Sequence, residues 1–266
     1  MAVGLLAVLR DEAANLPRFL GLLELLEQQS VLSGLFCSFY ENDSSDATPT
    51  LLARWLQHRP GSLISEQLGE ARFRGRQPAR TQRLAEARNR ALEPLLERSL
   101  QWLLVIDADL QIQLQQVLAL LALLERYPEA AMVCASAMQN VPDVLGEGPW
   151  SYYDSWALRD RAGRGGITFA ANPLWDPLER WRWMAGLPVP VASAFGGMAL
   201  LPMAVVQRHG LRWQGDQGCE HWAFCAGARR AGVVLACPTV RPRVWHADPP
   251  RWTAAYAARV RSQVAA

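Results

Sequence analysis

The stretch Leu103-Leu104-Val105-Ile106-Asp107-Ala108-Asp109 decides the fold, because an apolar run ends there in two carboxylates separated by one small residue. Short runs rich in Val, Ile and Leu are typical of buried strands in a parallel sheet, and ligands collect at the carboxyl ends of such strands. Alternate residues of an extended chain point the same way, so Asp107 and Asp109 can face one divalent cation that also binds water and phosphate oxygens. The stretch therefore predicts a site for a metal-bound diphosphate. The alternative is that Asp107 caps the next helix and Asp109 is solvated.

The composition favours one soluble α/β domain, or one such domain with a sizeable insertion. The chain has 266 residues, of which 50% are hydrophobic and 20% charged, and its formal net charge is +2. Basic residues are spread along the chain, so nucleic acid is not an expected partner. No apolar run is long enough for a transmembrane segment, and the first nine residues do not resemble a signal peptide, so a cytoplasmic location is expected. The five cysteines are expected to be reduced thiols.

Apolar runs and helical periodicities alternate through the first half of the chain. This alternation predicts an α/β fold with a mostly parallel, doubly wound sheet and helices on both faces. In the first predicted helix, Asn15 is the expected N-cap and Pro17 lies in the first turn. The predicted strands are residues 3–9, 35–40, 62–65, 103–106 and 131–137, and the predicted helices are residues 16–26, 50–56, 83–96 and 114–127.

The second half of the chain is less regular and holds most of the eleven tryptophans. Residues 161–190 are rich in Gly, Pro and Trp and are interpreted as a substrate-facing insertion. A strand is expected over 191–201, where Gly196 and Gly197 would let a ligand or another backbone come close. Further along, a helix is predicted over 220–231, a strand over 233–236 and a terminal helix over 251–264.

Several segments, taken in order, resemble the nucleotide-sugar glycosyltransferases of the GT-A fold. They are Arg-Asp-Glu-Ala-Ala-Asn-Leu-Pro at 10–17, Glu-Asn-Asp-Ser-Ser-Asp-Ala-Thr at 41–48, Ala-Arg-Asn at 87–89, Val-Ile-Asp-Ala-Asp at 105–109, and Cys-Glu-His-Trp at 219–222 followed by Arg-Arg-Ala-Gly at 229–232. The resemblance implies a single GT-A (Rossmann-like) catalytic domain over 1–266. Its nucleotide-binding half would be 1–137, and its acceptor-binding half, 138–266, would carry the Trp-rich insertion. The implied activity is metal-dependent transfer of a sugar from a nucleotide sugar to a glycan or another hydroxyl acceptor.

A narrower resemblance, to the fungal capsule-associated α-1,3-mannosyltransferase family, is carried by residues 87–94, 152–160 and 190–198. It implies a mannosyl donor such as GDP-mannose. Those enzymes usually have a membrane anchor and a Cys-Trp pair before the glycine, where this chain has Ala194 and Phe195. Peripheral association with a membrane-borne acceptor is compatible with the resemblance.

The resemblance also implies which residues bind the donor. Asp109 would bind Mn²⁺ or Mg²⁺ directly, Asp107 would contact the ribose or a metal-bound water, and His246 would be a third metal ligand. Glu41 would face the nucleobase, and a carboxylate accepts two hydrogen bonds from guanine but not from uracil, which favours GDP-sugars over UDP-sugars. The remaining expected contacts to the base, ribose or phosphates are Arg10, Glu12, Asp43 and Arg88.

Glu220 is the residue expected nearest the reacting carbon, with His221 beside it. Inverting relatives have an Asp as general base at the position of His221, and here either His221 or Glu220 can take the acceptor proton. In a retaining enzyme neither need act as the base. Asp154, with Arg159 and Asp160, is expected to orient the donor or acceptor sugar. The tryptophans considered for stacking on sugar rings are Trp150, Trp156, Trp175, Trp181 and Trp183.

Two other functions compete with transfer. A sugar-1-phosphate nucleotidyltransferase would share the sheet and the metal site, but its Gly-rich, Arg-containing N-terminal loop is missing here. A catalytically inactive sugar-nucleotide or carbohydrate-binding scaffold would not need Asp107, Asp109 and Glu220 together.

Overall fold

A computed structural model describes residues 1–69, 77–140 and 150–244 of the chain. The strands are β1 (Ala2–Leu9), β2 (Gly34–Asn42), β3 (Gly61–Glu66), β4 (Trp102–Ile106), β5 (Leu110–Gln111), β6 (Ala130–Cys134), β7 (Met138–Asn140), β8 (Trp150–Tyr152), β9 (Val189–Val191), β10 (Met198–Pro202), β11 (Val233–Ala236) and β12 (Arg243–Val244). The helices are α1 (Leu16–Glu27), α2 (Thr48–Leu56), α3 (Pro78–Leu96), α4 (Leu114–Arg126), α5 (Pro177–Met184), α6 (Met203–His209) and α7 (Glu220–Ala228).

The main sheet has eight strands in the order β3-β2-β1-β4-β10-β6-β11-β9. Neighbours among β3, β2, β1 and β4 are parallel, as are β6 and β11. β10 runs antiparallel between β4 and β6, and β9 is an antiparallel edge strand. The predicted mostly parallel α/β sheet is therefore confirmed.

Helices cover both faces of this sheet, as expected. One apolar core contains residues of α1, α2 and α4, among them Leu23, Leu52 and Leu120. The core on the other face contains residues of α3, α6 and α7, together with Trp183 of α5. Alternate residues of the central strands contribute to the two cores, as with Leu104 and Val105 of β4, which gives the doubly wound architecture.

The structure differs from the sequence predictions at several boundaries. The Asn15 side chain does not cap α1 but donates to Glu12 Oε2 at 2.7 Å. α3 begins at Pro78, because proline suits the first helical turn, where no backbone donor is needed. The single strand expected over 191–201 is two strands, β9 and β10, on either side of residues 192–197. The terminal helix expected over 251–264 lies outside the described residues.

A second, four-stranded sheet lies beyond the carboxyl ends of two central strands. Its order is β5-β12-β7-β8, and β5 follows β4 after only three residues while β7 follows β6. It therefore borders the edge where Asp107 and Asp109 emerge. Within the described residues, no helix is long and apolar enough to cross a membrane.

Candidate functional site

A cavity of about 670 Å³ opens at the carboxyl ends of β1 and β4. Its wall includes the aspartates that follow β4, the buried face of α3, the first turn of α7 and the loop after β8. Residues distant in sequence therefore converge on one space. The predicted site residues in the wall are Glu12, Arg88, Asp107, Asp109, Asp154, Glu220 and His221.

Arg88 of α3 joins the two acidic ends of this cavity. Its buried side chain donates from Nη2 to Asp107 Oδ1 at 3.3 Å, and its Nε lies 3.6 Å from Glu220 Oε1. Burial disfavours the charge of Arg88, but Asp107 and Glu220 outweigh burial and raise its pKa. Its buried Nη1 has no hydrogen-bond partner among the described residues. The guanidinium therefore remains charged and has a donor that a ligand oxygen can satisfy.

His221 is held as a neutral imidazole beside Glu220. Trp213 donates from its indole Nε1 to His221 Nδ1 at 3.4 Å, and His221 Nε2 lies 3.5 Å from Glu220 Oε1. An indole nitrogen can only donate, so Nδ1 must be the acceptor and the imidazole hydrogen lies on Nε2, facing Glu220. Burial, and then the positive charge of Arg88, lower the pKa of His221 well below its usual value. The ring also stacks on Phe195, with centroids 4.1 Å apart.

The two aspartates after β4 carry negative charge that the protein only partly balances. Asp107 is paired with Arg88, and burial raises the pKa of Asp107. Burial, followed by repulsion from Asp107 and Glu12, raises the pKa of Asp109 to about 7. No group of three or more His, Cys, Asp or Glu side chains in the described part of the chain forms a metal cluster by itself. His246, the predicted third ligand, lies outside the described residues.

A glycine turn, Gly196-Gly197, links Asp154 to the backbone of Asp107. Asp154 accepts hydrogen bonds from Ala157 N at 3.2 Å and from Gly196 N at 2.9 Å. The carbonyl of Gly197 in turn accepts from the backbone N–H of Asp107 at 2.9 Å. Burial, which outweighs its two backbone hydrogen bonds, raises the pKa of Asp154 to about 7.

A ligand or another part of the chain was expected to come close to Gly196 and Gly197. In the structure, other residues of the protein pack against both glycines. Gly196 has φ +61°, and a Cβ there would overlap the carbonyl oxygen of Ala135. Gly197 has φ +77°, and its Cβ would overlap Leu110. Both positions therefore require glycine.

Three predicted nucleotide-binding residues, Arg10, Glu41 and Asp43, are not among the described residues that line the cavity. Glu41 is buried, and its two oxygens accept from Ser44 N at 2.8 Å and from Ser65 Oγ at 2.6 Å. Asp43 accepts from the backbone after β3, and Arg10 lies 4.0 Å from it. These contacts tie the loop after β2 to its neighbours.

Other wall residues were not predicted as site residues. Phe195 lies under both Arg88 and His221, and the sequence marked it only as part of the segment 190–198, just before the glycine pair. Trp213 donates a hydrogen bond that holds the His221 ring, and Trp213 belongs to none of the recognised sequence motifs. Arg80, Tyr153 and Phe169 also line the cavity, and of these only Tyr153 lies in a recognised segment, 152–160, where no role was assigned to it.

The structure also locates the aromatic and charged residues of the second half. Among the tryptophans considered for sugar stacking, Trp156 lines the cavity, Trp183 is buried against Tyr152, and Trp150, Trp175 and Trp181 are exposed. Arg159 stacks on Trp222, and Asp160 is paired with Arg164.

Solved structures with the same fold include the following three, all of low sequence identity. S. aureus TarS 1–349 aligns with a TM-score of 0.54 at 11% identity, over 92% of this chain and 60% of that one. The mannosyltransferase PcManGT from Pyrobaculum calidifontis, in complex with GDP-Man and Mn²⁺, has a TM-score of 0.55 at 17% identity, over 96% and 59%. The glucosyl-3-phosphoglycerate synthase of Mycobacterium tuberculosis, with Mn²⁺, UDP and glucosyl-3-phosphoglycerate, has a TM-score of 0.50 at 15% identity, over 97% and 76%.

These likenesses concern the fold, and they confirm the expected GT-A architecture. The chain spans about 60% of the length of the first two structures. No curated protein sequence matches it.

The model of the family described as cryptococcal mannosyltransferase 1 matches residues 8–227, which include every described wall residue of the cavity. The chain belongs to this family of cryptococcal mannosyltransferase 1, as its sequence motifs predicted.

Proposed function

We propose that the protein is a metal-dependent glycosyltransferase that moves a sugar, mannose from GDP-mannose by preference, to a hydroxyl group of a glycan. The observation that carries the proposal is the convergence of Arg88, Asp107, Asp109 and Glu220 on one cavity. Transfer from a nucleotide sugar requires stabilisation of a departing diphosphate and of positive charge at the sugar carbon, and this cavity has groups suited to both.

The carboxylate groups in the cavity suit a hard divalent cation. Asp107 and Asp109 offer carboxylate oxygens on one side of the strand end, and Glu12 adds a third negative charge nearby. Burial is the main cause of the raised pKa of Asp109, and repulsion from Asp107 and Glu12 adds to it, so a cation bound there would relieve part of this cost. Bound Mn²⁺ or Mg²⁺ would neutralise the charge that develops on the departing diphosphate. Water and phosphate oxygens would complete its coordination.

Arg88 would bind an oxygen of the diphosphate. Its Nη1 is buried without a protein partner, and an N–H group in that condition is best satisfied by an anionic oxygen of the substrate. Its ion pairs with Asp107 and Glu220 keep the guanidinium in position before the donor arrives. Arg88 would therefore bind the leaving group and orient the carboxylates on either side of it.

Glu220 would face the reacting carbon and stabilise the positive charge that develops there. Arg88 Nε and His221 Nε2 lie 3.6 Å and 3.5 Å from Oε1 of Glu220, and these contacts restrict its orientation. Because His221 Nδ1 already accepts from Trp213, we assign His221 to positioning Glu220, not to proton transfer. Asp154, fixed by two backbone N–H groups, would orient a sugar hydroxyl across the cavity.

The preference for GDP-mannose is supported by the family, described by a mannosyltransferase, and by the fold shared with PcManGT in complex with GDP-Man. Glu41 would contribute by holding the loop after β2, because both of its oxygens already accept protein hydrogen bonds. Arg10 and Asp43, which belong to the same network, would act on that loop as well.

Isothermal titration with GDP and UDP, with and without Mn²⁺, tests the cation site and the donor together. We expect GDP to bind more tightly than UDP, and Asp109→Asn to remove the dependence on Mn²⁺ while leaving the protein folded. Asp216→Asn is the matched control, because Asp216 is an exposed aspartate outside the cavity. An Asp109→Asn protein with unchanged Mn²⁺ dependence would overturn the metal assignment, and tighter binding of UDP would overturn the donor assignment.

Measuring the release of GDP from GDP-mannose distinguishes a glycosyltransferase from a protein that only binds the sugar nucleotide. The parent protein should release GDP from GDP-mannose in a Mn²⁺-dependent reaction, and Glu220→Gln should abolish release while retaining nucleotide binding. Binding without release in the parent protein would mean that the cavity only recognises a sugar nucleotide.

A further inference from the structure

Helix α5 exposes a row of large apolar side chains to solvent. Leu178, Trp181 and Met184 are 65%, 58% and 76% exposed, and Trp175, just before the helix, is 52% exposed. Their spacing of three residues puts the helical members on one side of α5, whereas Trp183 is buried in the core. We call Trp175, Leu178, Trp181 and Met184 the α5 patch. Large apolar side chains clustered at the surface usually mark an interaction site.

Three arginines, Arg161, Arg180 and Arg182, lie in the segment that carries the α5 patch. Arg161 is exposed on the preceding segment. Arg180 donates to the carbonyl of Leu174 at 3.0 Å, and Arg182 donates to the carbonyl of Pro188 at 2.9 Å. Because both acceptors are neutral, these bonds hold the guanidinium groups near the patch without cancelling their charge.

The acidic residues of the same segment are buried, paired with an arginine or bonded to the backbone. Glu179 is buried, and Asp160 is buried and paired with Arg164. Asp176 caps α5 by accepting from the backbone N–H groups of Leu178 and Glu179. Arg161 is exposed, whereas Glu179 and Asp160 are buried, so the exposed charge beside the patch is mainly basic.

We infer that the α5 patch docks on the surface of a lipid bilayer that contains anionic headgroups. Tryptophan prefers the boundary between headgroups and acyl chains, where its ring is apolar and its N–H is polar. Short amphipathic helices with Trp and Leu on one side and Arg beside them lie in that boundary. Each basic residue near an anionic surface adds attraction that salt screens. A protein partner or a second copy would match the apolar residues but would not by itself account for the arginines around them.

The docking surface is connected to the cavity through a short segment. Thr168 and Phe169 line the cavity, and the chain then continues through Trp175 into α5. Trp175 donates from its indole Nε1 to the carbonyl of Gly165 at 2.8 Å, which fixes the patch to the loop before Thr168. Docking would therefore bring the cavity wall close to the bilayer. The inference does not depend on which sugar is transferred.

Sedimentation of the full chain with vesicles tests the inference. We expect binding to vesicles of phosphatidylcholine with phosphatidylglycerol, weak binding to phosphatidylcholine alone, and loss of binding as salt rises. The double variant Leu178→Ser/Trp181→Ser should bind at least about tenfold more weakly. Arg161→Gln should weaken binding about fivefold, the effect of one basic residue at an anionic surface.

Matched controls come from the opposite face of the sheet. Leu25→Ser removes a side chain of α1 that is 50% exposed, and Arg54→Gln removes an exposed arginine of α2; both variants should bind vesicles like the parent protein. Circular dichroism of each variant checks that it is folded, and Leu178→Ser alone is the milder test of the patch. No binding to anionic vesicles, or binding that survives in the folded double variant, would overturn the inference. A dimer that the double variant dissociates, with no vesicle binding, would assign the patch to a second copy and would also overturn it.

Discussion

At the scale of single residues, the environment of His221 limits the chemical role that this side chain can have in the candidate site. The imidazole is stacked on Phe195, accepts from Trp213 and points its remaining N–H toward Glu220. A general base needs a free lone pair within reach of the proton it removes, and here the available lone pair is already used. The low pKa of His221 keeps it neutral down to pH values well below 6.5, so its charge does not change over the working range.

Substitutions at His221 can distinguish positioning from proton transfer. Gln can still donate to Glu220, so His221→Gln should keep kcat within about tenfold of the parent. Asn is too short to reach Glu220, so His221→Asn should lower kcat by more than about tenfold. If His221 were the base, both variants would lose about 10²–10⁴-fold.

The pH profile of kcat/KM is a second measurement on the same variants. Because neutral His221 does not titrate in the working range, His221→Gln should leave the shape of the profile unchanged. The matched control is His58→Gln, an exposed histidine beyond α2. A profile whose acid limb disappears in His221→Gln would contradict the positioning role.

How much of the site could be predicted from the sequence depends on the range of the interactions. That Asp107 and Asp109 follow directly after a strand was predictable, because a strand and its end are local patterns. Glu220 and Arg88 were found through motifs, but the contact between them joins α3 to α7, which no local pattern specifies. Trp213 and Phe195 were missed as site residues because their role arises only when distant segments fold onto His221.

At the scale of elements, the glycine turn before β10 organises the cavity. Asp107 donates to Gly197 and Asp154 accepts from Gly196, so the turn connects the two acidic sides of the site. A continuous strand over 191–201 was predicted from its apolar residues, but two successive positive φ angles cannot continue a strand. The apolar pattern gave no information on strand direction either, so the antiparallel insertion of β10 could not be predicted.

Gly196→Ala tests the packing of this turn against a matched glycine. Gly210 ends α6 with φ +57° and would have no atom within 4 Å of an added Cβ, so Gly210→Ala should cost only the strain of a left-handed residue, about 1 kcal/mol. Gly196→Ala adds overlap with the Ala135 carbonyl and should cost about 4 kcal/mol or more. Urea unfolding measures both free energies, and equal costs would mean that the turn readily shifts.

At the scale of the whole molecule, the two halves expected from the sequence are interleaved. β10 belongs to the second half, yet it lies between β4 and β6 of the first half. Arg88 adds a polar link, from α3 in the first half to Glu220 of α7 in the second. The sheet and both cores are therefore shared by the two halves, and the boundary near residue 137 does not separate two independently packed units.

We expect, for this reason, that the full chain unfolds in urea in one cooperative transition and that a fragment of residues 1–137 does not fold alone. Without β10, the fragment would leave β4 and β6 with unpaired edges in the middle of the sheet. It would also expose the apolar face that α6 and α7 cover, including Leu92 and Leu103. Coincident transitions by circular dichroism and tryptophan fluorescence would support a single unit. The fragment should show no cooperative transition, and mixing it with residues 138–266 should restore one if the two parts are complementary. A fragment that unfolds cooperatively by itself would contradict the single domain and would make β10 an addition to an independent nucleotide-binding unit.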